Sequence, residues 1–481
     1  MRNAALLLSL LVLAGCAGFK PDYVKPAAEL PDAWGVAGSR KPLPPGADWW
    51  RIYADERLGK LVEEALANNT NLAMAVSRVD EARAALGVTQ ADLYPGVGAS
   101  FDRSRLQTSQ RTGIPLPPGT ARQRNDYRVA LNVSYEIDLW DRLRNGVAAA
   151  RAELLATEAA RDTVRIALSA EVVSAYFSLR TLDEQIGAAR RSLQNRRDTL
   201  NLQSARRAAG FLTDLELRQI EAEIAASEAQ LPQLERQRGT AESGLALLLG
   251  RSPKRVYQAR IEHDVTPAAS PPASIPPGLP SDLLLRRPDV VQAEQQLIAA
   301  NTRIAVARTA LFPSISLTGF VGSESAALGN LFTGPAGIFN FAASIAQPVF
   351  SGGRQDAAIA AARARETQAL LRYRQVVQTA FREVREALAA QAYARVQFDA
   401  EERRAAALRG FLRLANMRLE NGMTSRLEVL DAERGLFAAE INRSEALRVQ
   451  RAAMSDLFKA LGGGWQSQTG APEPTGTTPV E

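Results

Sequence analysis

The sequence contains few residues with which a protein could bind a metal or form a covalent intermediate. Among its 481 residues there is one cysteine, Cys16, and one histidine, His263. A histidine with no cysteine or second histidine nearby forms neither a zinc site nor a Cys–His couple. The chain also has no nucleotide-binding motif and no catalytic constellation. The sequence therefore does not support an enzyme, and we expect no cofactor and no metal.

Lysine is also scarce, with six residues in the whole chain, so the formal net charge of +6 comes mainly from arginine. The arginines are interspersed with glutamate and aspartate along the helical segments, and no block of basic residues stands out. This distribution is typical of solvated helix faces with intrahelical ion pairs, whereas nucleic-acid binding requires a concentrated basic patch. We therefore expect no nucleic-acid partner.

Proline is absent between Pro348 and Pro472, so nothing in that interval forces a helix to stop. From Arg354 to Leu419 apolar residues recur in heptads, with Glu401 as the one interruption. The seam residues are Leu370, Val377, Val384, Gln391, Phe398, Ala405, Leu412 and Leu419, and Tyr373, Ala380, Ala387, Ala394, Leu408 and Ala415. This pattern predicts a coiled-coil helix of roughly 100 Å, which one compact domain cannot bury.

A second long helix is predicted from Arg142 to Arg207, because apolar residues there are alternately four and three positions apart. These residues are Leu168, Val172, Ala175, Leu179, Leu182, Ile186, Ala189 and Leu193. Gly210 is expected to end this helix, and Thr213 or Asp214 to cap the next one.

Between the helical segments lie runs in which apolar and polar residues alternate with a period of two. The clearest run extends from Tyr127 to Ile137, and shorter runs occupy residues 97–101, 315–321 and 339–345. The length of the clearest run suits a membrane-spanning strand. The predicted lipid-facing residues are Val129, Leu131, Val133, Tyr135, Ile315 and Leu317. A soluble sheet produces the same alternation, so the pattern alone does not prove a membrane location.

The first residues resemble a bacterial lipoprotein signal. An apolar run from Ala4 to Ala14 follows Arg2 and ends in Leu13-Ala14-Gly15-Cys16, which resembles the lipobox whose cysteine is acylated. The alternative is an ordinary signal peptide with an incidental cysteine. Ala17, rather than aspartate, follows Cys16, which is compatible with passage to the outer membrane. Residues 17–55 are rich in proline, glycine and tryptophan and are interpreted as an extended tether on the protein surface.

The order of elements is repeated, which indicates a tandem duplication. Leu93-Tyr94-Pro95 corresponds to Leu311-Phe312-Pro313 at an offset of 218, Trp140 to Phe350 and Arg144 to Arg354 at 210, and Gly210 to Gly422 at 212. The predicted divisions are a signal peptide (1–15), a lipidated tether (16–55), repeat one (56–250), a proline-rich connector (251–280), repeat two (281–464) and a disordered tail (465–481).

Four membrane strands cannot close a barrel, and an open sheet edge in lipid leaves backbone groups unpaired at a cost of several kcal/mol each. The barrel must therefore be shared between chains. Two chains give eight strands, whose interior fills with side chains, and three give twelve strands with a lumen. The helices would then form a second tube, in which the heptad seams pack neighbouring helices together.

The stretch from Ile275 to Asp289, IPPGLPSDLLLRRPD, is similar to a signature of one known family, and Asp48-Trp49-Trp50 and the closing Ala460 to Trp465 also fit it. The chain resembles the TolC-type outer membrane factors, in particular their NodT/OprM-like lipoprotein branch. The resemblance implies a mainly α-helical chain with membrane β-strands, forming a homotrimer with a twelve-stranded β-barrel continued by a periplasmic α-helical barrel. It implies an outer membrane location, with a lipid anchor at Cys16.

The resemblance also implies a passive exit duct for drugs or other small molecules, with a periplasmic adaptor and an inner-membrane transporter of the resistance-nodulation-division type as partners. A duct for type I secretion or for metal ions is an alternative that the sequence hardly separates. A structural coiled-coil envelope protein without a channel is a third. In the family the helix-turn-helix tips meet the adaptor; here they are Gly210, Phe211, Leu212 and Thr213, and Gly422, Met423, Thr424 and Ser425.

The resemblance also points to a periplasmic gate. Leu427, Asp431 and Arg434 are four and three residues apart and therefore share a helix face, and they match the family's constriction of a leucine ring and an Asp–Arg pair. The alternative is a core leucine beside a surface ion pair. The first repeat has Leu215 at the position of Leu427 but lacks the charged pair, so the second repeat is expected to carry the polar constriction.

Overall fold

The structure is a computed structural model and describes residues 23–26, 29, 48–109, 111, 121–210, 213–258, 261 and 287–463. The predicted signal peptide, Cys16, His263 and the predicted tail lie outside these residues, as do Phe211 and Leu212 of the first tip.

The described chain is mainly helical, with four strands, as the sequence predicts. The helices are α1 (Glu56–Asn68), α2 (Thr70–Ala91), α3 (Arg142–Ala208), α4 (Asp214–Leu248), α5 (Pro253–Gln258), α6 (Pro288–Thr309), α7 (Arg354–Glu420) and α8 (Arg426–Ala460). The strands are β1 (Gly96–Gln107), β2 (Gln123–Ile137), β3 (Ser314–Ser325) and β4 (Gly337–Ala346). Among the described residues, no helix has both the length and the hydropathy needed to cross a membrane.

The long helices α3 and α7 each contain 67 residues, and the helices that follow them, α4 and α8, each contain 35. The predicted seam of α7 is buried or half-buried at every position, Glu401 included, while residues between the seam positions are largely exposed. The helices therefore pack along a heptad stripe, and the predicted coiled-coil character of α7 is confirmed.

The chain divides into two compact units, which are described separately. The first comprises residues 1–27, 79–157 and 293–373, and the second comprises residues 28–78, 158–292 and 374–481.

The first unit contains a four-stranded antiparallel sheet in the order β1-β2-β3-β4. Leu131 of β2 lies opposite Ala99 of β1 and Val321 of β3, which in turn lies opposite Phe339 of β4. Because paired residues point to the same side of a sheet, the apolar residues of all four strands share one face.

The second unit buries a short 3-10 helix, Trp49–Tyr53. The Trp49 ring stacks on Phe458 at 4.8 Å between centroids, and the Tyr53 hydroxyl donates a hydrogen bond to the backbone carbonyl of Arg451. Trp49, Trp50 and Tyr53 are all buried. The interpretation of residues 17–55 as an extended surface tether is therefore wrong at its carboxyl end. The aromatic rings of Trp49, Trp50 and Tyr53 supply enough apolar area to bury this segment, although the proline-rich composition of the whole stretch suggested a surface location.

Asp55 fixes the start of α1 in this unit. Its carboxylate accepts a hydrogen bond from the Leu58 backbone amide and caps the helix. The same group accepts a hydrogen bond of 2.7 Å from the Tyr176 hydroxyl and pairs with Arg180 at 3.1 Å. Burial and the hydrogen bond to Asp55 raise the pKa of Tyr176 to about 12. One carboxylate thus joins the first helix to the long helix α3.

The structure corrects part of the repeat alignment. Helices α3 and α7 begin at Arg142 and Arg354, so these two residues correspond, at the same offset as Gly210 and Gly422. Asp141 and Gly353, immediately before the helices, both have positive φ angles, of 59° and 80°. The correspondence of Trp140 with Phe350, and of Arg144 with Arg354, is therefore wrong. The misleading signal was an aromatic residue in each repeat at a slightly different distance from the helix.

Candidate functional site

One face of the sheet carries the predicted lipid-facing residues. Val129, Leu131, Val133, Tyr135, Ile315 and Leu317 all lie on it, as the strand register requires. Val97 and Phe101 of β1 and Phe339, Phe341 and Ile345 of β4 extend the same face. Leu131 in the middle of this face is 52% exposed and Phe341 is 78% exposed. A contiguous exposed apolar face across four strands is typical of a surface that meets another apolar phase.

Gly319 allows an aromatic ring to cover the apolar face closely. A Cβ atom at this position would lie 2.8 Å from the ring of Phe341, which faces Gly319 on the neighbouring strand. The missing side chain therefore leaves the ring room to lie over β3, where it covers the weakest point of the strand.

The opposite face of the sheet is polar along its centre. Asn132 donates a side-chain hydrogen bond of 3.1 Å to the Ser100 hydroxyl across β1 and β2. Ser134 and Thr318 lie on the same side, directly opposite each other. Towards the β1–β2 connection the guanidinium of Arg128 lies over the ring of Phe320, 4.1 Å from its centroid. This face offers hydroxyl, amide and charged groups, which suit contact with water.

The apolar face ends towards the β1–β2 connection. Arg103 lies on it with its guanidinium 5.6 Å from the ring centroid of Tyr127, and Arg105 donates a hydrogen bond to Gln123. Two arginines on the apolar side of one strand mark the level at which the face becomes polar.

At the ends of the long helix pairs, glycines permit the turns. Gly210 and Gly422 have φ angles of 81° and 69°, a region that favours glycine. After the first turn, Thr213 and Glu216 form a capping box at the start of α4. After the second, Glu428 accepts a hydrogen bond from the Thr424 hydroxyl and pairs with Arg418 at 3.0 Å. Met423 remains 63% exposed, so the described tip residues leave an apolar side chain available to a partner.

The three predicted gate residues lie just beyond the second tip, on the exposed side of α8. Leu427 is 57% exposed. Arg434 approaches Asp431 with an N–O distance of 3.9 Å, but its closer partner is Glu223 on α4, at 2.7 Å. The expected Asp–Arg pair is therefore present but loose, and the stronger contact joins the two repeats.

Glu223 was missed by the sequence analysis and is fixed by a buried arginine. Arg196 on α3 pairs with the Glu223 carboxylate at 2.9 Å and donates to its backbone carbonyl and to the Ser227 hydroxyl, each at 2.7 Å. Beneath these residues, Leu193, Ile220, Ile224 and Leu430 form an apolar cluster. The Glu223 carboxylate that pairs with Arg434 is thus held in place by Arg196 and by the apolar cluster. In the sequence, Glu223 is marked by nothing more than its place on the face of α4 that meets Arg434 of α8.

The RRPD motif has a structural role around Arg287. This buried side chain pairs with Asp289 at 2.5 Å and Glu383 at 2.7 Å and donates to the Ala460 carbonyl at the end of α8. Burial lowers the pKa of Arg287, but its hydrogen bonds to the two carboxylates outweigh burial and raise the pKa overall. Arg287 therefore holds the start of α6 against the end of α8 and the middle of α7. Within the described ranges, no group of three or more His, Cys, Asp or Glu side chains is arranged to hold a metal.

Comparison with known proteins identifies the class of protein that this fold defines. Residues 61–251 and 279–463 match the profile of the outer membrane efflux protein family. The chain is 34% identical to the probable outer membrane lipoprotein SilC of Salmonella typhimurium and 34% identical to the cation efflux system protein CusC of Escherichia coli; each match covers 95% of this chain and 97% of the relative.

The fold agrees with a solved channel structure. The crystal structure of the Campylobacter jejuni CmeC outer membrane channel aligns with a TM-score of 0.88 at 26% identity, covering 94% of this chain and 96% of that one. The chain belongs to the outer membrane efflux protein family. It is an outer membrane protein and serves as the exit duct of an efflux system.

Proposed function

We propose that three copies of the chain close a twelve-stranded barrel in the outer membrane and that solutes leave through its lumen. The observation that carries this proposal is the two-sided sheet, with its apolar face on one side and its polar face on the other. The sheet has two edge strands, β1 and β4. In lipid their unpaired backbone groups would each cost several kcal/mol, so neighbouring copies must pair with them.

The predicted oligomer can be tested directly. The detergent-solubilised protein should have the mass of three chains by native mass spectrometry, at concentrations where a weak association would dissociate. A one-chain mass, with the four-stranded sheet still folded, would refute the shared barrel.

The cargo is proposed to be drugs or other small molecules. The polar face of the sheet, with Ser100, Asn132, Ser134 and Thr318 along its centre, would line the lumen. Such groups contact solutes without strong selection. A metal-ion duct is the second candidate, because the relative CusC is named a cation efflux system protein. A type I secretion duct remains a further alternative. Efflux measured in cells that lack their own duct, with antibiotics and with metal salts in separate assays, distinguishes the first two.

The proposed partners are a periplasmic adaptor and an inner-membrane transporter of the resistance-nodulation-division type. Because the chain supplies a passive duct, the transporter must provide the energy. The adaptor is proposed to contact the two tips, where Met423 is exposed.

A photoreactive residue at Met423 should therefore cross-link to the adaptor in cells. The matched control is Tyr257, which is more accessible, at 92% exposure, but lies on α5, away from both tips. Cross-linking at Tyr257 alone would exclude the tips as the contact. Labelling of Met423 by a reagent added outside the cell would invert the topology.

The proposed lipid anchor is Cys16, and the tether that follows it is held near its start, at Tyr23 and Lys25. Lys25 pairs with Glu294 on α6 at 2.7 Å, and the Tyr23 hydroxyl donates to the same carboxylate. The nine residues that lead from Cys16 to Lys25 can reach about 30 Å. The part of α6 from Glu294 to its sheet end measures about 22 Å. The tether is thus long enough to return to the level of the sheet.

Cys16→Ser should abolish metabolic labelling with palmitate, whereas Ala17→Ser should leave labelling intact. Because a closed barrel would itself hold the protein in the membrane, we expect the abundance of Cys16→Ser to fall while efflux per molecule persists. Palmitate label that remains on the Cys16→Ser protein would exclude this residue as the acylation site.

A further inference from the structure

The two edge strands of the sheet can pair only with strands of another copy of the chain, and the internal duplication indicates in which register they do so. β1 and β4 are the outer strands, and each has one side of its backbone unpaired within the sheet. Phe101 on β1 is 61% exposed, and Ile345 on β4 is 71% exposed. From the internal duplication, we infer the register in which β4 of one copy pairs with β1 of the next. This inference rests on the proposed barrel.

The two hairpins of the sheet are equivalent in register. Gly96 of β1 lies opposite Ser134 of β2, and Ser314 of β3 lies opposite Ala346 of β4. Gly96 and Ser314 are the first residues of β1 and β3 and each follows a proline, so they correspond, and their partners Ser134 and Ala346 then correspond in the second strands. The offset from Ser134 to Ala346 equals that between the starts of α3 and α7. The strands and the helices thus agree on one alignment of the repeats.

The β2–β3 pairing joins the last strand of one repeat to the first strand of the next. Between copies, β4 would again be the last strand of one repeat and β1 the first strand of another. We therefore apply the β2–β3 register to the β4–β1 pair. Val133 opposite Gly319 becomes Ile345 opposite Phe101 of the neighbouring copy. Leu131 opposite Val321 becomes Ala343 opposite Arg103. Val129 opposite Ser323 becomes Phe341 opposite Arg105.

This register agrees with the faces of the sheet. Ile345 and Phe101 both lie on the apolar face, so their pairing continues that face across the boundary between copies. Phe341 beside Arg105 brings an aromatic ring to an arginine near the polar end of the face, as Tyr127 does for Arg103 within the chain. The rejected alignment of Trp140 with Phe350 would instead place Ile345 opposite Ala99.

Paired cysteines test this register. Side chains directly opposite each other in antiparallel strands have Cβ atoms about 5 Å apart, close to the separation a disulfide needs. The double variant Ile345→Cys, Phe101→Cys should oxidise to a covalent three-chain product on a non-reducing gel. The matched control is Ile345→Cys, Ala99→Cys, which moves one cysteine to the next position on the same face and should remain largely monomeric on the gel. A second pair on the polar face, Ser344→Cys with Asp102→Cys, should also form the product.

The possible outcomes distinguish an error in the register from an error in the barrel. Cross-linking of the Ile345–Ala99 pair alone would overturn the register in favour of the alignment of Trp140 with Phe350. A three-chain native mass with no product from either expected pair would overturn the register while leaving the barrel intact. A one-chain native mass for the parent protein would refute the barrel, and the register would fail with it.

Discussion

Leu131→Arg should prevent most of the protein from assembling in the outer membrane, whereas Asn132→Arg should assemble normally. Leu131 occupies the middle of the apolar face, between Ala99 and Val321 on the adjacent strands. An arginine on a lipid-facing strand position near the bilayer midplane costs about 2–4 kcal/mol per chain. Three copies in one barrel would carry that cost three times. Asn132 is on the polar face, where an arginine can remain hydrated.

The pair of variants controls for charge, size and position, because the two residues are adjacent and receive the same side chain. The measurement is the amount of folded, protease-resistant protein in the outer membrane fraction at equal synthesis. If Leu131→Arg assembles as well as Asn132→Arg, the apolar face does not meet lipid, and the assignment of all six lipid-facing residues is wrong.

The combined change of Leu427, Asp431 and Arg434 to alanine should raise single-channel conductance while leaving the oligomer nearly as stable as before. All three side chains are largely exposed in one chain, and an exposed ion pair contributes about 0–1 kcal/mol. If three copies of each surround the lumen, removing them widens its narrowest part. The structure adds that Glu223→Gln should give part of the same increase, because Glu223 holds Arg434 at 2.7 Å.

The control for the gate variants is Arg190→Ala with Glu235→Ala. This pair is an exposed ion pair of 2.7 Å between α3 and α4 that, like Arg434–Glu223, joins two helices, but it lies farther along the helices from the tips. It should leave the conductance unchanged. Equal conductance in the triple variant and the parent protein would mean that these three residues only pack on the surface and do not form a gate.

Residue periodicity predicted the regular elements well because each has a repeating pattern along its whole length. The heptads of α7 and the alternation of β2 require only a count of apolar residues. α7 has nearly the predicted bounds, and β2 ends at the predicted Ile137 but begins at Gln123, before the predicted Tyr127. The repeat alignment failed locally at Trp140 and Phe350, where the segment between strand and helix has no period. Backbone angles at Asp141 and Gly353 resolve it.

Contacts between residues far apart in the sequence could not be predicted from local patterns. Glu223 and Arg434 form an ion pair between the two repeats. Within the second repeat, Arg287 at its start donates to the Ala460 carbonyl at its end. Neither contact follows a short motif with a known partner. Spacing along α8 identified the three gate residues as one face, but only the structure shows that their strongest contact is with the other repeat.

The central claim, that this chain forms an open path across the outer membrane, is tested most directly by single-channel recording. The purified protein should be added to a planar lipid bilayer at known ionic strength, and the unit conductance of single insertions should be recorded. We predict discrete conductance steps of uniform size, which increase in the Leu427, Asp431 and Arg434 triple variant. A three-chain protein that inserts into the bilayer but gives no steps, in either the parent or the triple variant, would contradict the account of a duct.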